Sequence, residues 1–492
     1  MSTDEKKAPS LASSQSHAHI EPLEVDESLG QIAEKRLVRK LDFHILPLIS
    51  ILHLLSFLDR SNFGNAKAAG MTTTLHLPSY GYNVAAALFY VFYAAFEVPS
   101  NLLMKKIGPN RWFPFQVVCW GIVCLTIAFT QNFAGLCIVR VFLGITEAGL
   151  FPGLGYYISL WYKRKELAWR IAIFYASTTS SGAFGGILTY GIMKIHPPHH
   201  WGAWRLIFII EGAITIAAGL FAFWGMVGLP EDAKFLSEDE RKVVLRRLEV
   251  DREGHATHYS KEFVIQGLTD WKTYLYAVIY QVNCIPVYAL SLFLPSIIAN
   301  LGYTNADAQL MSVPPYVVAM CGALAFAWIS DKKGLRGPSI LVTEALAIIG
   351  FAVLLGTNFK KQPKLGYMGT FFTCTGTYST VPVLLSWAAN NTGGDTKKGV
   401  RIAMMVGLGN LGGIVASFSY RDQDKSKGYK LGHKVMIAGL CMSWTAALIA
   451  ILAFRQVNKK KEERCKAEGI TEDRRMEFVN EGDNSPLYKL SL

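Results

Sequence analysis

Two pairs of ionisable residues lie inside stretches of the sequence that are otherwise apolar. Asp59 and Arg60 follow the fourteen residues 45–58, which contain no Asp, Glu, Lys or Arg. Arg140 and Glu147 are seven residues apart in another apolar stretch, so on a helix they share one face, about 10 Å apart. Guanidinium groups bind carboxylates and carboxyl groups bind protons, so these residue types suit anion binding and proton transfer.

Such residues are costly inside a membrane. Each costs about 2.5–3.5 kcal/mol at the centre of a span unless it pairs or lines water. One explanation is structural: Asp59 neutralises Arg60, Arg140 neutralises Glu147, and the pairs hold the helices together. The other explanation is functional: the charged side chains face a water-filled pathway through the membrane.

The composition is that of a membrane protein. Of the 492 residues 51% are hydrophobic and 17% are charged, with a mean hydropathy of +0.26, which is unusual for a soluble domain. A span needs about 20 apolar residues and has to be helical in lipid. The sequence therefore predicts an all-α, polytopic membrane protein with twelve transmembrane helices in two six-helix pseudo-repeats. The predicted spans start near Phe43, Asn83, Trp112, Phe133, Ala168, Trp204, Tyr274, Gln309, Ser339, Tyr367, Val400 and Val435.

A long charged segment between the sixth and seventh spans divides the chain into two halves. Lys105-Lys106-Ile107-Gly108 and Asp331-Lys332-Lys333-Gly334 differ in position by 331 − 105 = 226, and a Gly-Gly pair recurs at an offset of 227. A constant offset indicates a parallel repeat. The predicted regions are a cytosolic tail (1–42), a six-helix bundle (43–228), a cytosolic linker (229–272), a second bundle (273–455) and a cytosolic tail (456–492).

The repeat favours the functional explanation of the charges. At an offset of 226, the second half has Ile285, Pro286, Gly366 and Thr373 where the first has its four ionisable residues. The architecture therefore does not require these charges. The glycine-rich stretches 177–186 and 407–413 are better explained as faces on which helices pack closely.

The net charge of +12 would suit nucleic-acid binding in a soluble protein. Here basic residues concentrate in the short loops 105–111, 161–170 and 331–338, which predicts that these loops and both termini are cytosolic. We expect no nucleic-acid partner, and an integral protein of the plasma membrane that is monomeric. The eight cysteines are scattered, and their spacing indicates neither disulfides nor a zinc site.

Several stretches resemble a known family. The loop DKKGLRGP resembles the signature loop of the major facilitator superfamily. Other stretches are similar to its anion:cation symporter branch, in the fungal allantoate permease-type group. They are LPLISILHLLSFLDRSNFGNAKAAGM, FEVPSNLLMKKIGP, VRVFLGITEAGLFPG, FLPSIIANLGYTNADAQLMSVPPYVVA and EGDNSPLYKL. The resemblance implies proton-coupled uptake of a small organic carboxylate such as nicotinate, pantothenate or allantoate, with the proton as coupling ion, no other cofactor and no enzymatic activity.

The resemblance also implies roles for particular residues. The pattern LDR in the first span and R-x₆-E in the fourth match positions at which this branch binds carboxylates and protons. Arg60 and Arg140 are thus expected to bind the substrate carboxylate, and Asp59 and Glu147 to carry the coupled proton.

Weaker candidates lie elsewhere in the spans and loops. We expect Gln281, Asn283, Tyr288 and Asn410 to contact substrate. Gating or latch residues are expected at Glu97, Asp331 and Lys332. Packing is an equally good explanation for Asn410, and Lys105 stands where the signature loop of the first half usually has Asp.

Three other functions would each fit part of the sequence. A nutrient sensor that does not transport could share this fold, since long tails suit signalling partners. A proton-coupled antiporter could share it as well, although two arginines in the cleft argue against a cationic or neutral cargo. The sequence HPPHH at 196–200 has the spacing of membrane di-iron sites, but its prolines disrupt the helix that would present the ligands.

Overall fold

The computed structural model describes residues 27–195, 202–252, 261–358 and 361–492. Its regular structure in these ranges is helical, which confirms the predicted fold class. Residues 1–26 of the predicted tail and the HPPHH segment lie outside the described residues. The long helices, numbered in chain order, are α1 Glu27–Ala68, α2 Gly81–Ile107, α3 Pro109–Ile127, α4 Phe133–Trp161 with one internal break, α5 Arg164–Met193, α6 Ala203–Gly225, α7 Trp271–Asn300, α8 Asn305–Lys333, α9 Arg336–Gly356, α10 Pro363–Asn390, α11 Asp395–Ser419 and α12 Lys430–Glu468.

Ten of these helices are long and apolar enough to cross a membrane. The other two, α3 and α10, carry more polar residues, with Asn110, Arg111 and Gln116 in α3 and a run of Thr and Ser in α10. Both are nevertheless integral to the bundles, because α3 packs along α6 and α10 packs along α8 and α9. The helices are therefore consistent with the predicted twelve spans. Helix α1 begins at Glu27, well before the predicted start near Phe43.

The two halves repeat one packing scheme. In the first half α1 packs on α5, α2 on α4, and α3 on α6. In the second half the partners are α7 with α11, α8 with α10, and α9 with α12, each six helices later. The halves meet through α1 with α7, α2 with α11, and α5 with α8.

Because the start of α1 and the end of α12 lie on the same side of the twelve helices, we call that side the terminal face and the opposite side the distal face. In the described ranges, direct hydrogen bonds and ion pairs between the halves run from the distal face to mid-helix. Lys67 pairs with Asp422 at 2.6 Å at the distal end, and Asn410 donates to Glu97 at 2.6 Å near the middle. Gly413 allows close approach there, because a Cβ on it would lie 2.4 Å from the ring of Tyr90.

The linker contributes one helix to each half. Helix Glu238–Arg252 joins the first half, where Glu240 accepts from Lys40 of α1 at 2.6 Å. Helix Lys261–Thr269 packs against α11 of the second half. The linker is thus anchored at both ends on the terminal face.

The C-terminal segment, residues 482–492, folds back onto the second half. The Ser491 amide donates to Asn391 Oδ1 at 2.6 Å, and Trp387 Nε1 donates to the Ser491 carbonyl at 2.9 Å. The backbone amide of Arg336 donates to the Leu492 carbonyl at 3.0 Å. The sequence predicted only a tail here, because contacts made by a segment without helical periodicity leave no pattern in it.

Asp483 anchors this segment in a buried cluster of charges. Its carboxylate pairs with Lys397 at 2.6 Å and with Lys272, while Asp270 pairs with Arg401 at 2.8 Å. Burial raises the pKa of the Asp483 carboxyl, but the two ammonium groups outweigh burial and hold the pKa below its usual value. The segment is thereby tied to α7 and α11.

Candidate functional site

The four ionisable residues of the first half are all buried, but they do not pair with their neighbours in sequence. Arg60 of α1 binds Glu147 of α4, with Nη2 2.7 Å and Nε 3.0 Å from Glu147 Oε1. Ser56, one turn before Arg60, donates to the same oxygen at 2.5 Å. The other carboxylate oxygen, Oε2, has no hydrogen-bond partner among the described residues. It is therefore available as an acceptor.

Aromatic rings surround the Arg60 guanidinium. Its Cζ lies 4.7 Å from the centroids of both Phe57 and Tyr93 and 5.4 Å from that of Phe89. Faces of aromatic rings attract cations, so these three rings stabilise the Arg60 guanidinium in addition to Glu147. The site adjoins the second half, because the ring centroid of Tyr90 in α2 lies 4.8 Å from that of Tyr288 in α7.

A break in α4 positions Glu147. The first part of the helix ends at Glu147, Ala148 is extended (φ −57°, ψ 134°), and Gly149 is left-handed (φ 80°). A Cβ at Gly149 would lie 2.8 Å from the Asn101 amide of α2, so glycine is required for both conformation and space. Gln116 satisfies the free Ala148 carbonyl with a hydrogen bond of 2.6 Å. The sequence predicted one continuous helix, because small residues at this point do not distinguish packing from a break.

Arg140 lies against an aromatic ring of α1 and has no ion-pair partner within the ranges described. Its guanidinium carbon is 3.3 Å from the centroid of Phe63. The side chain is 2% exposed, and its Nε and Nη2 make no hydrogen bond with described residues. A buried cation with unsatisfied donors is energetically costly unless an anion binds it.

Asp59 points away from Arg60. Its carboxylate accepts from Trp120 Nε1 at 2.7 Å and lies 3.3 Å from Cys124 Sγ, both on α3. Successive residues of a helix point about 100° apart, which separates Asp59 from its neighbour. The fold therefore does not form the ion pairs Asp59–Arg60 and Arg140–Glu147 that the structural explanation requires. The described residues contain no group of three or more potential metal ligands.

Three of the weaker candidates form a polar chain between the halves. Tyr288 of α7 donates to Asn410 Oδ1 at 2.6 Å, and Asn410 Nδ2 donates to Glu97 Oε2 of α2 at 2.6 Å. The predicted substrate residues Tyr288 and Asn410 are thus joined to the predicted latch residue Glu97. In this conformation they contact one another across the interface.

The other two candidates on α7 lie apart from this chain. Asn283 is buried and donates to Glu344 of α9 at 3.3 Å, inside the second half. The backbone of Gln281 borders α11, where a Cβ on Gly412 would lie 2.8 Å from its carbonyl oxygen. Glu344 is not among the residues predicted from the sequence, although an acid inside the apolar run LVTEALAIIG is a signal that could have indicated it.

The latch candidates of the second half lie on the terminal face. Asp331 pairs with Arg336 at 2.7 Å across the turn between α8 and α9. Lys332 lies over the Trp328 ring of its own helix, 4.9 Å from the centroid. These contacts are within the second half, so the structure brings neither residue to the Arg60–Glu147 pair.

Comparison with known proteins gives matches over nearly the whole chain. Residues 49–417 match the sequence profile described as Major Facilitator Superfamily. The chain is 37% identical over 443 residues to the "MFS transporter prlL" of Fungal sp. (strain NRRL 50135), which covers 88% of each chain. It is 30% identical over 462 residues to the "High-affinity nicotinic acid transporter" of Saccharomyces cerevisiae, covering 93% of this chain and 84% of the relative.

A solved structure has the same arrangement of helices. The crystal structure of a D-xylose-proton symporter superposes with a TM-score of 0.64 and covers 82% of this chain and 97% of that chain, at 13% identity. At that identity the likeness concerns the fold alone. It agrees with the two bundles of helices described above.

Proposed function

We propose that the chain, which belongs to the Major Facilitator Superfamily, imports a small organic carboxylate together with a proton. It is an integral membrane transporter and not an enzyme, as its relatives are named as transporters. Transporters with two such halves carry substrate by alternating access to a site between them. The relative at 30% identity that is named a nicotinic acid transporter supports a carboxylate cargo. We also propose, from the sequence stretches that resemble it, that the chain belongs to the anion:cation symporter branch with its allantoate permease-like members.

Arg140 is the observation that carries this proposal. Its Nε and Nη2 are buried without a hydrogen-bond partner among the described residues, so they offer two donors to an anion. A carboxylate fits such a guanidinium through two parallel hydrogen bonds. Arg60 is the second proposed contact, since it lies on α1 three residues before Phe63, against which Arg140 stacks.

Glu147 couples the proton to the substrate in this proposal. A substrate carboxylate that binds Arg60 replaces Glu147 as the partner of the guanidinium. The released carboxyl group is then free to take up the coupled proton. One monoanion and one proton then move without net charge, so the pH difference supplies the driving force. Asp59, held by Trp120 at 2.7 Å, is proposed as a second proton-binding group beside Arg140.

The interface between the halves supplies the gate. The polar chain Tyr288–Asn410–Glu97 would break and re-form as the halves rock, together with the distal contacts. We propose that the protein is a monomer of the plasma membrane with both termini in the cytosol, that the distal face is outside, and that the proton is the only accessory ion. A C-terminal epitope tag accessible to antibody only after permeabilisation supports this orientation, and surface labelling without permeabilisation refutes it.

Uptake by purified protein in vesicles tests the function directly. With labelled nicotinate and an acidic outside, we expect accumulation above equilibrium that a protonophore abolishes. Binding without exchange or accumulation would identify a sensor. Efflux driven by the same gradient would identify an antiporter. Failure to bind nicotinate, pantothenate and allantoate in a thermal-shift screen would reject the proposed cargo class.

A further inference from the structure

Lys67 is a buried cation at the distal end of α1. Its side chain is 8% exposed and its Nζ lies 4.4 Å from the ring centroid of Tyr82 and 5.2 Å from that of Phe293. The ammonium is 2.6 Å from the carboxylate of Asp422, which belongs to the second half and is 43% exposed. Apart from Asp422, Nζ has no hydrogen-bond partner among the described residues. Because an ammonium group has three donors, it can bind a further acceptor.

Aromatic rings connect Lys67 to the proposed substrate site. The ring of Tyr82 stacks on Phe63 with centroids 4.6 Å apart and an angle of 11°. Phe63 in turn carries the guanidinium of Arg140 at 3.3 Å. The two stacked rings thus lie between the ammonium of Lys67 and the guanidinium of Arg140, and Arg60 follows further inward, about one turn of α1 from Phe63. We call Lys67, Arg140 and Arg60 with these rings the row.

Helix α1 aligns this row. Arg60, Phe63 and Lys67 are at positions i, i+3 and i+7, so they share one helix face, and Lys67 lies about 10 Å outward from Arg60 along the axis. Next to Lys67 the distal face has a pocket of about 530 Å³, lined among others by Thr72, His76, Tyr82 and Asp422. This volume is in the range of small-molecule sites.

Closing the distal face is the simpler role for the ion pair of Lys67 and Asp422. That role alone does not explain the asymmetry of the pair. A gate needs only that the two charges meet, whereas here the cation is buried between rings that continue to Arg140 and the acid is half-exposed at the pocket. The solvent-accessible carboxylate of Asp422 therefore marks a position on Lys67 that the carboxylate of a substrate could also take.

We propose that Lys67 is an outer binding site for the substrate carboxylate, occupied by Asp422 when the distal face is closed. An arriving anion replaces Asp422, which releases the contact between the halves and places the anion at the start of the row that leads to Arg140 and Arg60. This proposal rests on the proposed transport of an organic carboxylate. It assigns capture of the anion to a residue separate from the inner binding site.

Two substitutions distinguish an anion site from a structural pair. Lys67→Gln removes the cation, and Asp422→Asn removes only its competitor. If Lys67 captures the anion, Lys67→Gln raises the KM for nicotinate uptake from the distal side about tenfold, by loss of attraction for the anion, whereas Asp422→Asn leaves the KM unchanged or lowers it. If the pair is only structural, both changes alter uptake in the same direction.

Matched controls separate local from general charge effects. Lys194, an exposed residue on the distal face, lies 4.5 Å from the ring of Tyr190 and takes no part in the row. Lys194→Gln should leave the KM unchanged. Lys67→Arg keeps the charge and should retain most of the capture. Equal KM values for Lys67→Gln and the unmodified protein overturn the proposal, even when nicotinate uptake itself is normal.

Equilibrium binding in detergent supplies a readout that does not depend on transport. We expect the unmodified protein to bind one nicotinate tightly, and Asp422→Asn to bind a second, weaker one that the double variant with Lys67→Gln lacks. Absence of a second site in Asp422→Asn refutes the outer site while leaving the inner one intact. Absence of binding in every variant refutes the proposed cargo as well.

Discussion

Arg60 of α1 and Glu147 of α4 are 87 residues apart in sequence and 2.7 Å apart in the fold. Neither pairs with the ionisable residue nearest to it in sequence. Asp59 is held by Trp120, and Arg140 stacks on Phe63. We therefore propose the pair Arg60–Glu147 as the unit that couples binding of the anion to binding of the proton.

Glu147→Gln should uncouple transport without abolishing it. A glutamine can still accept hydrogen bonds from Arg60 and Ser56, but it cannot take up a proton. We expect loss of proton-driven nicotinate accumulation in vesicles, while exchange of labelled for unlabelled nicotinate continues. Glu344→Gln is the matched control, because Glu344 is also a buried carboxyl but lies in the second half beside Asn283 and Ser443. Accumulation that survives Glu147→Gln at acidic outside pH would show that the coupling assignment is wrong.

Arg140→Gln should remove binding rather than slow turnover. Losing one partner of a buried charged contact costs about 2 kcal/mol or more, which corresponds to a rise in Kd of about 30-fold. Equilibrium binding of labelled nicotinate measures this rise. Arg205→Gln serves as control, because Arg205 donates to the backbone carbonyl of Thr130 at 3.0 Å and should affect stability but not Kd. A near-normal Kd for Arg140→Gln contradicts its assigned role.

Asn410→Leu should loosen the interface between the halves. It removes the hydrogen bonds to Glu97 and Tyr288, each of 2.6 Å and each contributing about 0.5–1.5 kcal/mol. The measurement is the rate at which a thiol reagent modifies the buried Cys284 in a protein whose other cysteines have been replaced. We expect this rate to rise about 2- to 10-fold for each hydrogen bond lost. Glu97→Gln retains an acceptor for Asn410 and should label nearly as slowly as the unmodified protein. Equal rates for Asn410→Leu and Glu97→Gln would exclude a gating role for this chain.

Asp483→Asn should destabilise the second half. Removing one partner from a buried ion pair costs about 3–5 kcal/mol, so the melting temperature should fall. Because the folded pKa of Asp483 is lowered, its stabilisation is present above the unfolded pKa of about 3.9 and is lost as the pH falls through the folded value.

The difference in melting temperature between the two proteins should therefore stay constant near neutral pH and shrink only in strong acid. Glu477→Gln is the control six residues earlier in the chain, as Glu477 pairs with Arg474 at the surface and surface pairs contribute little. A difference that already disappears at mildly acidic pH would contradict the lowered pKa.

The fold was largely predictable, whereas the site was predictable only in part. Long apolar runs in lipid have to be helical because unpaired backbone groups are costly there, and the 226-residue offset indicated the repeat. The same residues did not reveal the break at Gly149, because the lack of space for a side chain there is due to Asn101 of α2, which is distant in sequence. Lys67 escaped notice because a lysine at a helix end is ordinary until its burial is seen.

The sequence by itself determined that helices cross a membrane in two related halves, and that the first half has ionisable residues where the second half has Ile285, Pro286, Gly366 and Thr373. Hydropathy and residue spacing are properties of the sequence alone, so they can be determined without the tertiary structure. Only the tertiary structure decided that Arg60 meets Glu147, that Arg140 lacks an ion-pair partner among the described residues, and that Asp483 anchors the C-terminal segment. Those outcomes depend on the rotation of each helix about its axis and on contacts between distant segments, which no local pattern encodes.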